Sequence, residues 1–314
     1  MTRERVLINE VGPRDGLQNQ PRTLTAVERV QMIAALARAG LHHIEVGSFV
    51  SPKAVPQMAA SDEVMAALPS LPGVGYSVLI PNLKGYERAR AVGARNLALI
   101  LSATDTMSQK NIGMTMEQVF AVAADIMARS RAEGLYTQAY VSVSFECPFE
   151  GPVDPAVVEA LTARLFAAGA DEVVVADTIG AASPMQVRQL LDRLVARHGA
   201  ERLGVHFHDT RALAVANCFA ALEAGIRKFD SSIGGLGGCP FAPGATGNVA
   251  TEDVVLMLEQ SGFDTGIDMA SLIEAALLAE RLTGNCPGPR SKLWLRKRYG
   301  RSAGVPADAA ACTG

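Results

Sequence analysis

His206 and His208 stand two residues apart in the run His206-Phe207-His208-Asp209-Thr210. In an extended strand, residues i and i+2 project to one face. Both imidazoles therefore aim at one point, which is the beginning of a metal site. Two other stretches carry matching chemistry. Pro13-Arg14-Asp15-Gly16-Leu17-Gln18 sets a carboxylate beside a guanidinium. Gly234-Gly235-Leu236-Gly237-Gly238-Cys239-Pro240, followed by Gly247-Asn248, supplies a thiol on a glycine-rich loop and an amide oxygen. A single strand histidine is more often a hydrogen-bonded core residue, but the pair leading into Asp209-Thr210 points the other way. Asp15 can cap a turn before Gly16; beside the histidine pair it reads as a ligand. Asn248 is left open by residue type alone, because asparagine also fills left-handed turn positions.

Two imidazoles, a carboxylate and an amide oxygen, with no thiolate, suit Mg²⁺ or Mn²⁺ with positions left for substrate oxygens. Zn²⁺, Co²⁺ and Fe²⁺ accept the same ligand types. A cation there polarises a hydroxyl or carbonyl oxygen as a Lewis acid. Arg14, next to a ligand, is placed to stabilise a developing oxyanion. Cys239 can be read as a small buried thiol. Its flanking glycines favour a loop that approaches closely and moves as a lid. No Lys-Ser/Thr follows the glycines, so the phosphate-binding P-loop reading is set aside.

The elements that would position these groups repeat along the chain. Short apolar runs at Val6–Val11, His43–Gly47, Gly75–Ile80, Asn96–Leu101, Thr137–Ser144, Glu172–Ala176, Leu203–His208 and Lys228–Ile233 read as strands. Helical patterns lie between them. Thr25 and Glu28 form a capping box, followed by Val30, Ile33, Ala34 and Ala37 on one face and Gly40 as a stop. Thr115 with Gln118 repeats the device, and Asp154-Pro155 and Ser183-Pro184 set a cap before a first-turn proline. Eight strand-helix units predict an α/β fold, a (β/α)8 TIM barrel. An open doubly wound sheet is the alternative, but no Gly-x-Gly-x-x-Gly follows the first strand. The barrel is expected over 1–285, with an extra helix near 268–284. Residues 286–314 are expected to form a partly flexible extension with a basic segment, Arg290 to Arg301.

Length and composition bound the rest. The 314 residues carry a net charge of −3, which offers no footprint for nucleic acid or an anionic membrane. No apolar run reaches the roughly 18 residues of a membrane span. The first strand begins near Arg5, leaving no room for a signal or transit peptide. Five cysteines without a Cys-x-x-Cys predict reduced thiols and a cytoplasmic protein.

Active sites of such barrels lie at the carboxyl ends of the strands. Those ends carry Glu10, Arg14 and Asp15, then Glu45 and Ser48, Asn82, Tyr140, Ser142 and Glu146. Asp177 and Thr178, His206 and His208, and finally Cys239 and Asn248 complete the series. Burying such groups costs several kcal/mol unless they are paired or bind metal.

These motifs resemble those of the 3-hydroxy-3-methylglutaryl-CoA lyase family of metal-dependent Claisen-type barrels. The resemblance covers about residues 5–285. It rests on Gly12-Pro-Arg-Asp-Gly-Leu-Gln-Asn19, Ile44-Glu-Val-Gly-Ser-Phe-Val-Ser-Pro-Lys53, Pro81-Asn-Leu-Lys-Gly85, Asp177-Thr-Ile-Gly180, His206-Phe-His-Asp-Thr210 and the loop Gly235 to Asn248. The Cys239 loop and Ser-Phe-Val-Ser-Pro-Lys are the most family-specific parts. The resemblance implies Asp15, His206, His208 and Asn248 as ligands of Mg²⁺ or Mn²⁺, with no organic cofactor. It implies Arg14 stabilising an enolate, Glu45 and Asp177 orienting groups in the site, and Cys239 in proton transfer. Gln18, Ser48, Asn111, Tyr140 and Thr178 are the candidates for substrate contact. The expected partner is an acyl-CoA substrate, with a dimer or tetramer as the assemblies such a chain would form.

The chain departs from the family at Gln20-Pro21, where Glu-Lys is usual, and at Gly47, where a Thr is common. It also has Arg211-Ala212-Leu213 for Tyr-Gly-Gln, and Gln138 where an Arg is frequent. These departures leave a longer or differently branched 3-hydroxyacyl-CoA, or a citramalyl-CoA-like one, as the alternative substrate. A condensing synthase, a carboxyltransferase barrel and a silent scaffold barrel are the more distant readings. The Cys239 loop argues against the first. The absence of a lysine at Ala176-Asp177-Thr178 argues against the second, and the intact motif residues against the third.

Overall fold

The computed structural model describes residues 3–238, 247–285 and 288–299. Eight parallel strands close into a barrel: β1 Leu7–Glu10, β2 His43–Ser48, β3 Gly75–Leu79, β4 Asn96–Ser102, β5 Tyr136–Ser142, β6 Glu172–Asp177, β7 Leu203–Phe207 and β8 Lys228–Ser231. Each pairs with the next in sequence, and β8 returns to β1. Every residue of β6 and β7 is buried, as parallel strands covered on both faces require. Parallel neighbours need long crossovers, and helices supply them. A small antiparallel ribbon, Glu146–Cys147 with Gly151–Pro152, follows β5.

The ends of the expected strands shift, and the shifts have local causes. β5 stops at Ser142 because Val143 turns to a positive φ of 50°, an outlier for a β-branched residue. The Val143 N–H donates to Thr178 Oγ1 at 2.9 Å, which helps hold that turn. β7 ends at Phe207, so His208 lies one residue beyond it, kept extended by an isolated antiparallel bridge to Asn248.

The capping boxes at Thr25 and Thr115 form as expected, and Asp154 and Ser183 cap their helices ahead of the prolines. In α1, Ala26–Arg38, the buried face is not the one expected. Val30, Ala34 and Ala37 are half-buried, and the buried set is Arg29, Met32, Ile33, Ala35 and Leu36. A charged residue, Arg29, stands at the centre of the buried stripe, so hydrophobic periodicity alone points one residue away from it. Helix Met269–Thr283 packs on α1, and Lys292–Tyr299 packs on that helix through buried Leu295. No helix among the described residues is long and apolar enough to cross a membrane.

Two of the family departures are resolved by position. Gln138 lines a cavity of about 390 Å³ with Glu172 and Lys228, which open β6 and β8, and donates to Glu172 Oε1 at 2.7 Å. That cavity is at the amino-terminal mouth of the barrel, opposite to His208, so Gln138 is not part of an acyl pocket at the carboxyl ends. Ala212 has φ 58° in the rim turn after β7, a left-handed backbone that glycine adopts without strain. Ala212→Gly is expected to stabilise the protein by about 1 kcal/mol. In a chain of this size that raises Tm by roughly 2 °C, readable by calorimetry.

Candidate functional site

Arg14 and Asp15 sit in a single wide helical turn, Gly12–Gly16, which follows β1 and places both buried side chains over the carboxyl end of the barrel. The turn is closed by Gly16 N–H donating to Val11 O at 3.2 Å. Glycine is required at its first position, because a Cβ on Gly12 would lie 2.5 Å from Glu10 Oε1 and 2.9 Å from Ile233. Glu10, an expected rim carboxylate, is instead spent on backbone. It accepts from the N–H groups of Gly12 and Ile233, both at 2.8 Å, and from Thr251 Oγ1 at 2.6 Å.

Asp15, His206 and His208, all buried, bring one ligand atom each within 4.8 Å of one another. His206 Nε2 lies 4.0 Å from Asp15 Oδ2, and the two imidazole centroids are 5.3 Å apart. Asn248 donates its amide to Asp15 Oδ2 at 2.8 Å and to Leu236 O at 3.2 Å. Its Oδ1 and the His208 Nδ1 are buried without a hydrogen-bond partner. Leaving such atoms unsatisfied costs about 1–3 kcal/mol each. A bound cation would relieve that cost for whichever of them it engages, so the residues present fit a divalent metal. Asn248, undecided from residue type, thus takes its place beside the other three.

Protonation states agree with this use. Burial pushes His208 down to about 4, with the neighbouring His206 adding to the shift, so its ring is neutral near pH 7. Burial works against the carboxylate of Asp15, but the charges of Arg14 and His206, with the hydrogen bond from Asn248, outweigh it and hold Asp15 at about 2. Burial also opposes charge on His206; the hydrogen bond and charge of Asp230 overcome that and raise it above its ordinary 6.5. Protons on His206 should therefore compete with metal. Apparent Mn²⁺ affinity is expected to weaken as pH falls through this titration, checked by binding isotherms between about pH 5 and 8.

Arg14 is clamped from two sides. Its Nε donates to Glu45 Oε2 and its Nη1 to Asp15 Oδ1, both at 2.7 Å. Glu45 is fully buried, and burial raises it to about 7 against the opposing pull of Arg14. The geometry decides for a charged pair, since a guanidinium donates directly to the carboxylate. A bulge between Glu45 and Gly47 breaks the β2–β3 register at this point. Arg29 Nη2 donates to Val46 O at 2.8 Å, and Ser61 Oγ accepts from Ser48 N at 3.1 Å, so both tie down the bulged backbone. A Cβ on Gly47 would meet Ser61 Oγ at 2.7 Å, which accounts for glycine at this departure. Sequence reasoning missed Arg29; the signal was an arginine inside an apolar helical stripe.

The HMGL-like family model matches residues 5–278, most of the chain. The chain belongs to the HMG-CoA lyase family. The hydroxymethylglutaryl-CoA lyase of Pseudomonas mevalonii is 42% identical over 94% of this chain and 98% of its own. The 3-hydroxy-3-isohexenylglutaryl-CoA/hydroxy-methylglutaryl-CoA lyase of Pseudomonas aeruginosa is 41% identical over 92% of this chain and 96% of its own. The structure of an HMG-CoA lyase from Acinetobacter baumannii in complex with coenzyme A and 3-methylmalate superposes with a TM-score of 0.88. It is 38% identical, covering 96% of this chain and 97% of that one.

The other residues expected of an HMG-CoA lyase family member are placed unevenly. Gln18 donates to Asp15 Oδ1 at 2.8 Å, beside the metal cluster. Ser48 is buried at the end of β2. Tyr140 is buried inside the barrel, with its ring edge-on to His206 at 6.1 Å and its hydroxyl accepting from Asn9 at 3.3 Å. Asp177 accepts from the N–H groups of Ala181 and Ala182, both at 2.9 Å, and so shapes the loop after β6. Thr178 supports Val143 as described. Asn111 is exposed on helix Asp105–Ile112. Cys239 lies outside the described residues. Glu252 was missed: its buried carboxylate accepts from Gly234 N–H at 3.0 Å, under the start of the glycine-rich loop.

Proposed function

We propose that this chain is a hydroxymethylglutaryl-CoA lyase that cleaves 3-hydroxy-3-methylglutaryl-CoA into acetyl-CoA and acetoacetate with Mg²⁺ or Mn²⁺. The observation that carries this reading is the clamped Arg14 beside Asp15, His206 and His208. It combines fixed donors for a developing oxyanion with a site for a divalent cation. Asp15, His206, His208 and Asn248 would hold the cation, which when bound supplies Lewis-acid polarisation of substrate oxygens. Transfer of the tertiary-hydroxyl proton to a base lets that oxygen form the ketone of acetoacetate. The electrons of the broken C–C bond pass into the thioester as an enolate. Arg14 answers that charge: Nε and Nη1 are held by Glu45 and Asp15, and Nη2 makes no hydrogen bond within the described residues. Because the guanidinium is already oriented, little reorganisation opposes the reaction. Cys239 is assigned the proton that converts the enolate to acetyl-CoA.

Two groups of findings support the rest of this reading. The Acinetobacter relative was solved with coenzyme A, which supports an acyl-CoA as the substrate here. The name of the Pseudomonas aeruginosa relative supports a second, longer branched 3-hydroxyacyl-CoA substrate. Free, buried Cys147 and Cys218 accord with a reducing, cytoplasmic setting. A dimer or tetramer is the assembly proposed. The test is to incubate the purified chain with Mg²⁺ and 3-hydroxy-3-methylglutaryl-CoA and assay acetoacetate. Metal-dependent release is the expected result. Cleavage of the isohexenyl analogue alone, read as its longer branched 3-oxo product because that substrate cannot yield acetoacetate, would replace the parent substrate, and no cleavage of either would overturn the reading.

A further inference from the structure

We infer that Asp230 is a positioning residue for the metal centre: it fixes the ring of His206 so that Nε2 faces the cation. The inference rests on the metal-centre reading above. His206 Nδ1 lies 3.0 Å from Asp230 Oδ2. The other carboxylate oxygen, Oδ1, accepts from Asn9 Nδ2 at 2.9 Å. Asn9 also donates to the Tyr140 hydroxyl at 3.3 Å, and the Tyr140 ring meets His206 edge-on with an interplanar angle of 81°. The imidazole is thereby held at one edge by a carboxylate and flanked by an aromatic ring.

The barrel register builds this arrangement. Asn9 on β1 is the partner of Asp230 on β8, and Asp230 is the partner of His206 on β7. Three adjacent strands thus set Asn9, Asp230 and His206 side by side below the rim. Asp230 is 5% exposed, and no arginine or lysine bonds to it among the described residues. A buried carboxylate is costly unless its oxygens are satisfied; here an imidazole N–H and an asparagine amide satisfy them. Because Asp230 can only accept, the His206 proton resides on Nδ1 and the Nε2 lone pair is left to point toward Asp15, 4.0 Å away. His208 has no such support, since its Nδ1 lacks a partner. The two histidines are therefore unequal: His206 is oriented before metal arrives, whereas His208 is not held at Nδ1.

The experiment measures Mn²⁺ binding to the full chain by calorimetry for wild type, Asp230→Asn and Asp230→Ala, with apo-protein Tm recorded for each. Asp230→Ala is expected to weaken Kd by about 10- to 100-fold, the range for loss of an outer partner of a ligating histidine. Asp230→Asn keeps an acceptor without charge and should fall between. A purely structural role would lower apo Tm and leave Kd of the folded variants unchanged. A second measurement needs no variant. Nitrogen-15 NMR of histidine-labelled wild type loaded with Mg²⁺ should show His206 protonated at Nδ1. Wild-type Mn²⁺ affinity in folded Asp230→Ala, or a His206 proton on Nε2, overturns this inference alone. A wild-type chain that binds no Mn²⁺ overturns the metal centre and this inference together.

Discussion

Asp15→Ala and His206→Ala are each expected to lose divalent metal and nearly all turnover while the barrel stays folded. Both side chains belong to the only cluster of three metal-binding groups among the described residues. Asp15 is the sole carboxylate in it, so its removal takes away the negative charge that balances the cation. Mn²⁺ affinity should fall by more than about 100-fold, beyond the range for changes outside the ligand shell. Survival of the fold follows from location. Asp15 sits in a rim turn, and Arg14 keeps Glu45 as a partner when Asp15 is lost. His206 is buried among Asp230, Asp15 and the rings of Tyr140 and His208, and takes no part in the main apolar core around the barrel. Elemental analysis and circular dichroism check both halves. Full metal occupancy in both variants would remove these residues as ligands.

Arg14→Lys is expected to lower kcat by roughly a hundred- to a thousandfold, the scale of a lost oxyanion donor. KM should change little. The reason is shape rather than charge. Arg14 uses Nε toward Glu45 and Nη1 toward Asp15, with both bonds at 2.7 Å, and still offers Nη2. A lysine has one nitrogen and a flexible stem, so it cannot hold both carboxylates and present a fixed donor to the enolate. A loss in kcat at constant KM marks an interaction made in the transition state rather than with bound substrate. Steady-state kinetics at saturating Mg²⁺ read this directly, and a near-normal kcat would exclude Arg14 from the chemistry.

The (β/α)8 plan, the His206/His208 pair and the Arg14-Asp15 motif were legible because each is local. Strand runs and helix caps depend on residues within a few positions of one another, and a two-residue spacing reads directly as one face of a strand. Asn248 could not be assigned that way. Its part depends on a bridge to His208 and on an amide bond to Asp15, 233 positions away in sequence.

Arg29 shows the limit most clearly. Charge marks such a residue for the surface, yet the fold buries it to hold the Val46 carbonyl at the Glu45–Gly47 bulge. Gln138 shows the converse. As a departure from the family pattern it drew attention to the acyl pocket, but the strand carries it to the opposite mouth of the barrel. Residue types and short spacings determined which chemistry this chain can do and on what kind of scaffold. Barrel closure alone decided which groups meet, because the register between β1, β7 and β8 sets distances that no stretch of sequence contains. It brought Asp15 to His206, set Asp230 behind that imidazole, and brought the Glu10 carboxylate to the backbone amide of Ile233.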